Sequence, residues 1–501
     1  MKSKKLIFSL LCSVAMLPSH AQTINLTVDT TRLQTITGFG AAAMGGLMAP
    51  VSDTKIIDKL YAPDSEVGLN IMRMEVSPNT IGDVKVPWDT PYDWHGYLPA
   101  VRQARKYGAI IFAAPWSPPP SYKTNNSAQG QLDDGTVGKL LRSKYSSFFT
   151  WLNSFVRYMS NNGAPVDVVS IQNEPDWKPG YSGCFYTPQE LDTLVREYGD
   201  RFDKSSGVKL MSGEALGYTP NYYEPTLNDP AARQYIDILG GHSYGHEPLK
   251  YMKYTAAMGA KYGIPAWMTE HIVDPRADLD GDSQSDTKTI DLPTWHEQLL
   301  FAEDVNETLL AGGSAYVYWY MISHYSFIGN GEATLQPGND YGKVLDRGRI
   351  MGQFAKHLKG ATMLDRNSSV NKEAKTFQSS AFIKGDSIIV NAIDTLNKEL
   401  TLNLYLPMNV VSGKRITSTE GNIGVEEPVA IDFPTKKFTF AIPARSFSTF
   451  IFNIDRSANG IADLTKASRT SDDAWYNLHG QRVESPANGI YIRQGKKVIV
   501  R

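Results

Sequence analysis

Two carboxylates stand at the ends of short β-forming runs. Residues 170–177 read SIQNEPDW, so that Asn173 and Glu174 follow the apolar run from Val166 to Ile171, and residues 267–271 read WMTEH, ending in Glu270 and His271. Two carboxyl groups facing each other across a cleft are the minimum equipment for cutting a glycosidic bond, one held neutral as an acid and the other ionised. Other residues that end such runs suit the same cleft. Arg73 can hold Glu270 ionised through a charge-assisted bond, and Asn173 can donate to a sugar hydroxyl. His242 and Tyr244 close the run at 235–244, while Trp116 and Trp319 offer flat faces for stacking. Position alone does not choose the pair: Glu75 and Glu214 also end such runs, a tryptophan there can cap a core, and a histidine there is commonly structural.

The elements that must carry these residues repeat. TGFGAA (37–42), NIMRMEV (70–76), AIIFAAPW (109–116), VDVVSIQNE (166–174), VKLMSGEA (208–215), YIDILGGHSY (235–244), PAWMTEH (265–271) and SAYVYWY (314–320) are apolar runs ending in polar or aromatic residues. Helix-period segments fall between them. YSSFFTWLNSFVRYMSNNG ends in a glycine stop, and TPQELDTLVREYGDRF opens with Thr187, Pro188 and Glu190 in capping-box spacing. Eight such units predict an α/β fold, a (β/α)8 barrel over 37–360, with its active site at the C-terminal ends of the strands. An open doubly wound sheet is disfavoured because GFGAAAMGG lacks the spacing of a dinucleotide-binding turn. After Gly360 the period becomes two, in FQSSAFI, SIIVNAI, LTLNLYL, KFTFAI and FSTFIFNI, and TINLTVD near the N-terminus alternates as well. We therefore expect an antiparallel β-sandwich side domain built from 22–36 and 361–455, then a linker and a small C-terminal unit over 456–501.

Composition narrows the classes. With 50 Lys and Arg against 52 Asp and Glu the chain has no basic face to offer nucleic acid or an anionic membrane. Lys2, Lys4 and Lys5 precede the apolar LIFSLLCSVAML, and SHA precedes Gln22, which reads as a signal peptide over 1–21 and a destination outside the cytoplasm: secreted, on the cell surface or in the periplasm. Removal of Cys12 with that leader leaves Cys184 and no internal disulfide. There is no H-E-x-x-H and no paired C-x-x-C, so neither a catalytic metal nor a cofactor is implied. Asp278, Asp280, Asp282 and Asp286 form a weak calcium candidate that reads better as a solvated acidic loop. GHSYG at 241–245 fits an esterase elbow in letters, but Pro248 delays the helix that an elbow needs directly after Ser243.

GAIIFAAPWSPPPSYK, VVSIQNEPDW, YTPQELDTLVREY, LNDPAARQYIDILGGHSYG and PAWMTE resemble glycoside hydrolase family 30, most closely its glucuronoxylanase subfamily (subfamily 8), over about residues 24–454. The resemblance implies a retaining endo-β-1,4-xylanase acting on xylan, with Glu174 as acid/base and Glu270 as nucleophile; a monomer is expected. Other activities of the family, β-1,6-glucanase or β-xylosidase-like, and a non-catalytic polysaccharide-binding barrel are the alternatives. The C-terminal unit resembles type IX secretion sorting tails of Gram-negative bacteria. One departure stands out. Where the subfamily keeps a glucuronate-gripping Arg after strand eight, YWYMISHYSFIG has Ile322, Ser323 and His324, although Tyr325 remains as a substrate-binding candidate. Obligatory glucuronate recognition is therefore not expected, with His324 able to attract a carboxylate when protonated and Arg276 of the long strand-seven loop as a substitute cation.

Overall fold

The computed structural model describes residues 22–44, 53–78, 94–245, 247–273, 294–331, 340–370, 376–456, 475–477, 482–484, 486–493 and 496–500. The leader, Asp278, Asp280, Asp282, Asp286, Arg276 and nearly all of the linker lie outside the described residues.

The first strand, β1 (Gln22–Thr35), serves the side domain. The barrel follows as β2 (Gly38–Ala42), β3 (Ile71–Glu75), β4 (Ile110–Ala114), β5 (Val168–Ser170), β6 (Lys209–Met211), β7 (Leu239–His242), β8 (Ala266–Glu270) and β9 (Gly313–Tyr320). The order is β6-β5-β4-β3-β2-β9-β8-β7, with parallel pairing throughout. Parallel bridges from Met211 to Ile238 and from Ala215 to Gly241 join the two outer strands and close the barrel. Helices between the strands include Leu98–Lys106, Tyr145–Asn161, Pro188–Tyr198 and Pro248–Ala260. Thr187 accepts from the Glu190 amide while Glu190 accepts from the Thr187 amide, the reciprocal cap that the spacing predicts.

Alternation along each strand explains how one fold makes both a floor and a site. Ile71, Phe112, Val168, Met211, Ala315 and Val317 share the apolar cluster inside the barrel. Their sequence neighbours Met72, Ile111, Val169, Tyr316 and Tyr318 pack in the larger cluster outside it. Two or four residues further up the same inward faces come Arg73, Trp116 and Trp319, at the C-terminal mouth.

The side domain comprises β1 with β10 (Thr362–Ser368), β11 (Phe377–Lys384), β12 (Ser387–Asp394), β13 (Leu400–Thr419), β14 (Asn422–Val429), β15 (Thr435–Ile442) and β16 (Ser446–Ile454). It differs from the expected antiparallel sandwich in two ways. The strand β13, 20 residues long, pairs with β1 and β15 in its first half and with β16 and β14 in its second, so both layers belong to one folded-over sheet. The β1–β13 pair is parallel. No hairpin joins these two strands, so no turn imposes an antiparallel course. Ile24, Leu26, Leu402, Leu404, Val390, Phe450 and Phe452 fill the space between the layers. The last four short strands, at Trp475–Tyr476, Arg482–Val483, Gly489–Arg493 and Lys496–Val500, form a sheet of their own.

Candidate active site

Two irregularities of the backbone aim the glutamates. On β8, Trp267 faces into the barrel and Met268 outward, so strict alternation would send Glu270 outward as well. Gly241 pairs with Met268 but His242 pairs with Glu270, so Thr269 is an extra residue. That bulge turns Glu270 into the mouth. Beyond β5 the chain is fixed by bonds from the Asn173 amide to the Pro115 carbonyl and from the Glu174 amide to the Glu214 carbonyl, each 2.9 Å. Glu174 itself lies at φ 44°, in the left-handed region that non-glycine residues seldom occupy. Holding it there costs about 1–2 kcal/mol, a strain typical of residues whose direction matters more than their comfort.

Arg73 organises the cluster. Its side chain is fully buried; Nη1 donates to Glu270 Oε2 at 2.5 Å and Nη2 to Asn173 Oδ1 at 2.6 Å, with Glu214 Oε2 3.2 Å away. The guanidinium lies 4.7 Å from the Trp116 ring centre and 5.9 Å from that of Trp319. Burial works against its charge, but Glu214 and Glu270 outweigh that and raise it. Burial likewise works against an ionised Glu214, yet Arg73 and His242 hold its carboxyl below the usual range. Glu75, on β3, is buried as well. Position left four carboxylates at strand ends; the structure makes Glu214 a fully buried counter-charge of Arg73, with Glu174 and Glu270 at the mouth.

His242 stands between the two glutamates, Nδ1 at 3.1 Å from Glu174 Oε1 and Nε2 at 3.7 Å from Glu270 Oε2. Burial opposes its protonation, but Glu270, Glu174 and Glu214 push its pKa up to about 10, so it carries a positive charge at neutral pH. Burial pushes the Glu270 carboxyl upward against the pull of His242 and Arg73. The Tyr244 hydroxyl donates to Glu270 Oε1 at 3.2 Å, and burial followed by the negative Glu270 keeps that phenol protonated. One oxygen of Glu174, one oxygen of Glu270 and a His242 nitrogen lie within 4.8 Å of one another. Such a trio has the reach of a metal site, but Arg73, bonded to Glu270 at 2.5 Å, already supplies the balancing cation.

The mouth thus collects Arg73, Trp116, Asn173, Glu174, His242, Tyr244, Glu270 and Trp319. Trp116 and Trp319 lean together with ring centres 5.9 Å apart. Tyr325 is buried in the turn after β9, in the outer cluster and edge-on to His324, and its carbonyl accepts from Arg347 at 2.9 Å and from Tyr318 at 3.2 Å. His324, proposed from sequence as a titrating subsite group, is 3% exposed, so the turn folds it in against Tyr325. Ser243 is followed by a helix that begins at Pro248, so the esterase elbow is absent. Sequence reasoning missed the role of Tyr181, an exposed residue whose hydroxyl lies 3.4 Å from Glu174 Oε2, and Trp177 beside it. Their proximity to the NEP segment, within seven residues, was the available signal.

Fold and site together define a glycoside hydrolase: a closed parallel barrel that sets two carboxylates against each other on a buried arginine. Residues 35–258 match the glycosyl hydrolase family 30 TIM-barrel domain. The chain is 28% identical over 440 residues to the glucuronoxylanase XynC of Bacillus subtilis (strain 168), covering 86% of this chain and 91% of that relative. It superimposes with a TM-score of 0.69 on the crystal structure of the family 30 subfamily 8 xylanase of Clostridium acetobutylicum, with 28% identity and coverage of 86% and 99%. An endo-1,6-beta-D-glucanase of Aspergillus fumigatus is 27% identical over 271 residues, 45% of this chain and 54% of the relative.

Proposed function

We propose that the protein is an exported endo-β-1,4-xylanase that retains the anomeric configuration, with Glu174 as acid/base and Glu270 as nucleophile. The observation that carries this reading is that an oxygen of Glu174 and an oxygen of Glu270 lie within 4.8 Å of each other. Retaining pairs sit roughly 5–5.5 Å apart, whereas inverting pairs leave about 6.5–9.5 Å for a water. The end-to-end likeness to a glucuronoxylanase and a subfamily 8 xylanase supports xylan as the substrate. The leader pattern at 1–21 supports export, and the C-terminal unit is the part we assign to sorting.

In the first step Glu174 gives its proton to the glycosidic oxygen while a Glu270 oxygen attacks the anomeric carbon. The bond to the leaving chain breaks, and a glycosyl ester forms on Glu270. In the second step Glu174 takes a proton from water, whose oxygen attacks the same carbon and breaks the ester. Two inversions give retention. Arg73 and His242 bring two positive charges against three carboxylates, Glu174, Glu214 and Glu270, so a single proton on one carboxyl neutralises the buried set. Ester formation removes the charge on Glu270, which eases the negative charge that Glu174 must then carry within 4.8 Å.

Glucuronate is not required in this proposal. Ile322, Ser323 and His324 are all buried in the turn after β9, and none carries a guanidinium. Proton NMR of a fresh xylan digest is expected to show the β-anomer of the new reducing end first; an early α-anomer would reject the mechanism. Azide is expected to rescue Glu174→Ala as a β-glycosyl azide, whereas rescue of Glu270→Ala with an α-product would exchange the two roles.

A further inference from the structure

The acid/base is held from two sides. One oxygen of Glu174 meets His242 inside the barrel, and the other meets the Tyr181 hydroxyl on the solvent side at 3.4 Å. His242 sits on a barrel strand, but Tyr181 sits on a loop and is 46% exposed, so packing does little to place it. What places its backbone is a ladder between two loops. The Gly130 amide donates to the Tyr181 carbonyl at 2.9 Å, Gln131 to Pro179 at 2.8 Å, and Gly183 to Ala128 at 3.0 Å.

Inside that ladder lies a buried ammonium group. Lys123 is 2% exposed, and its Nζ donates to the carbonyls of Ala128 at 2.9 Å, Gln129 at 2.8 Å and Gly183 at 2.5 Å, and to Ser117 Oγ at 3.2 Å. These acceptors come from both loops. The backbone that carries Lys123 is stiff, because Pro118, Pro119 and Pro120 fix φ between it and Trp116 on the barrel rim. A rigid arm from the rim therefore ends in a cation that binds both loops where Tyr181 leaves them. Without the cation, three carbonyls in a water-poor site lose a donor and the ladder must open toward water.

We propose that Lys123 is a positioning residue for hydrolysis: it sets the height of the 177–183 loop so that Tyr181 fixes the carboxyl of the acid/base. The proposal rests on the assignment of Glu174 given above. A residue that acts through proton donation matters for a poor leaving group and little for a good one. The test compares kcat/KM on xylohexaose with kcat/KM on dinitrophenyl xylobioside, whose phenolate leaves without a proton. Lys123→Met and Tyr181→Phe are each expected to lower the hexaose-to-aryl ratio about tenfold or more, the scale of a small misplacement of a catalytic group. The double variant is expected to be no lower than Lys123→Met alone. A ratio unchanged in Tyr181→Phe, or losses that multiply in the double variant, overturns the proposal. Lys123→Gln, which keeps a hydrogen-bonding head, replaces Lys123→Met if the latter does not fold, with the same two outcomes. Glu174→Ala is the control for the underlying assignment. If its ratio does not collapse, the acid/base assignment fails; if it collapses while the other ratios stay put, only the role of Lys123 fails.

Discussion

The barrel mouth and the side-domain core solve opposite problems. Between the layers of the side domain, Phe440, Phe450 and Phe452 stack at centre distances of 4.4–6.4 Å among Leu402, Leu404 and Val390, and strand pairing runs unbroken from Phe377↔Asp394 to Lys384↔Ser387. Apolar packing and regular pairing agree there. The mouth contains a left-handed glutamate, a bulge, a buried arginine and three carboxylates within its reach. Burying such charges weakens a protein unless each is paired. The difference locates the two tasks: the side domain banks apolar contact, and the mouth holds charge in place against its preference for water.

The comparison breaks most sharply under Glu270→Ala. Loss of this proposed nucleophile is expected to reduce kcat/KM on xylan by at least about 10⁴-fold, with the thermal midpoint changed far less; a residual rate above a hundredth of the parent would show that Glu270 is not the nucleophile. Phe450→Ala is the mirror experiment. Phe450 is fully buried, and its truncation is expected to cost about 3–5 kcal/mol in urea unfolding, while kcat of the folded fraction at low temperature stays at the parent value. A fall in kcat to match would mean that side domain and mouth are coupled.

Acidity separates the regions again. Asp394, at the end of β12, has its pKa pushed up to about 7 by burial, so the folded protein keeps a proton that the unfolded chain releases near the ordinary 3.8. Its contribution is present below that value and is lost as pH rises toward 7. His242, raised from 6.5 to about 10, contributes fully below 6.5 and loses its contribution as pH climbs to 10. Urea titrations across this range are expected to show two declines, and Asp394→Asn is expected to flatten the lower one; an unaltered curve would remove Asp394 from the account. The smallest effect concerns substrate choice. An Arg–carboxylate bond contributes about 1.5–3 kcal/mol, or one to two decades. Lacking it in the β9 turn, the enzyme is expected to prefer glucuronate-bearing xylohexaose over the plain oligomer by about tenfold or less. A preference above about a thousandfold would restore a cation to the site and direct mutagenesis to Arg276.

Much of the mouth was legible because its residues end apolar runs whose period identifies them as strands. Arg73, Trp116, Asn173, Glu174, His242, Tyr244, Glu270 and Trp319 stand where strand ends place them. What was illegible depends on pairing between distant segments. Nothing in WMTEH marks Thr269 as an extra residue, since the bulge exists only relative to β7. Nothing near Glu214 says that its charge is spent on Arg73, 141 positions earlier by subtraction of their numbers. Tyr325 could not be placed from sequence because a tyrosine after a strand fits a subsite and a core equally well, and Arg347, which fixes its backbone carbonyl, arrives from a later helix. The parallel β1–β13 pair escaped notice for the same reason: alternation reveals a strand but not its neighbour.

That first strand has a consequence for the order of assembly. Asn25 and Ser369 are hydrogen-bonded across 344 positions, and β1 also lies along Leu400–Tyr405. As the chain emerges from the ribosome, its earliest strand has no sheet to join until the whole barrel sequence has been made. Closing so long a loop adds little cost, about 0.6 kcal/mol per doubling, but it imposes a wait. The barrel can close while β1 is still an unpaired edge, and the side domain can be finished only after the barrel sequence, with strands from both sides of that sequence meeting in one sheet. Clipping the N-terminal strand would therefore leave a formed barrel beside an open sheet, and a chaperone that shields residues 22–35 would act on strands more than 300 positions away, at Thr362–Ser368 and Leu400–Tyr405.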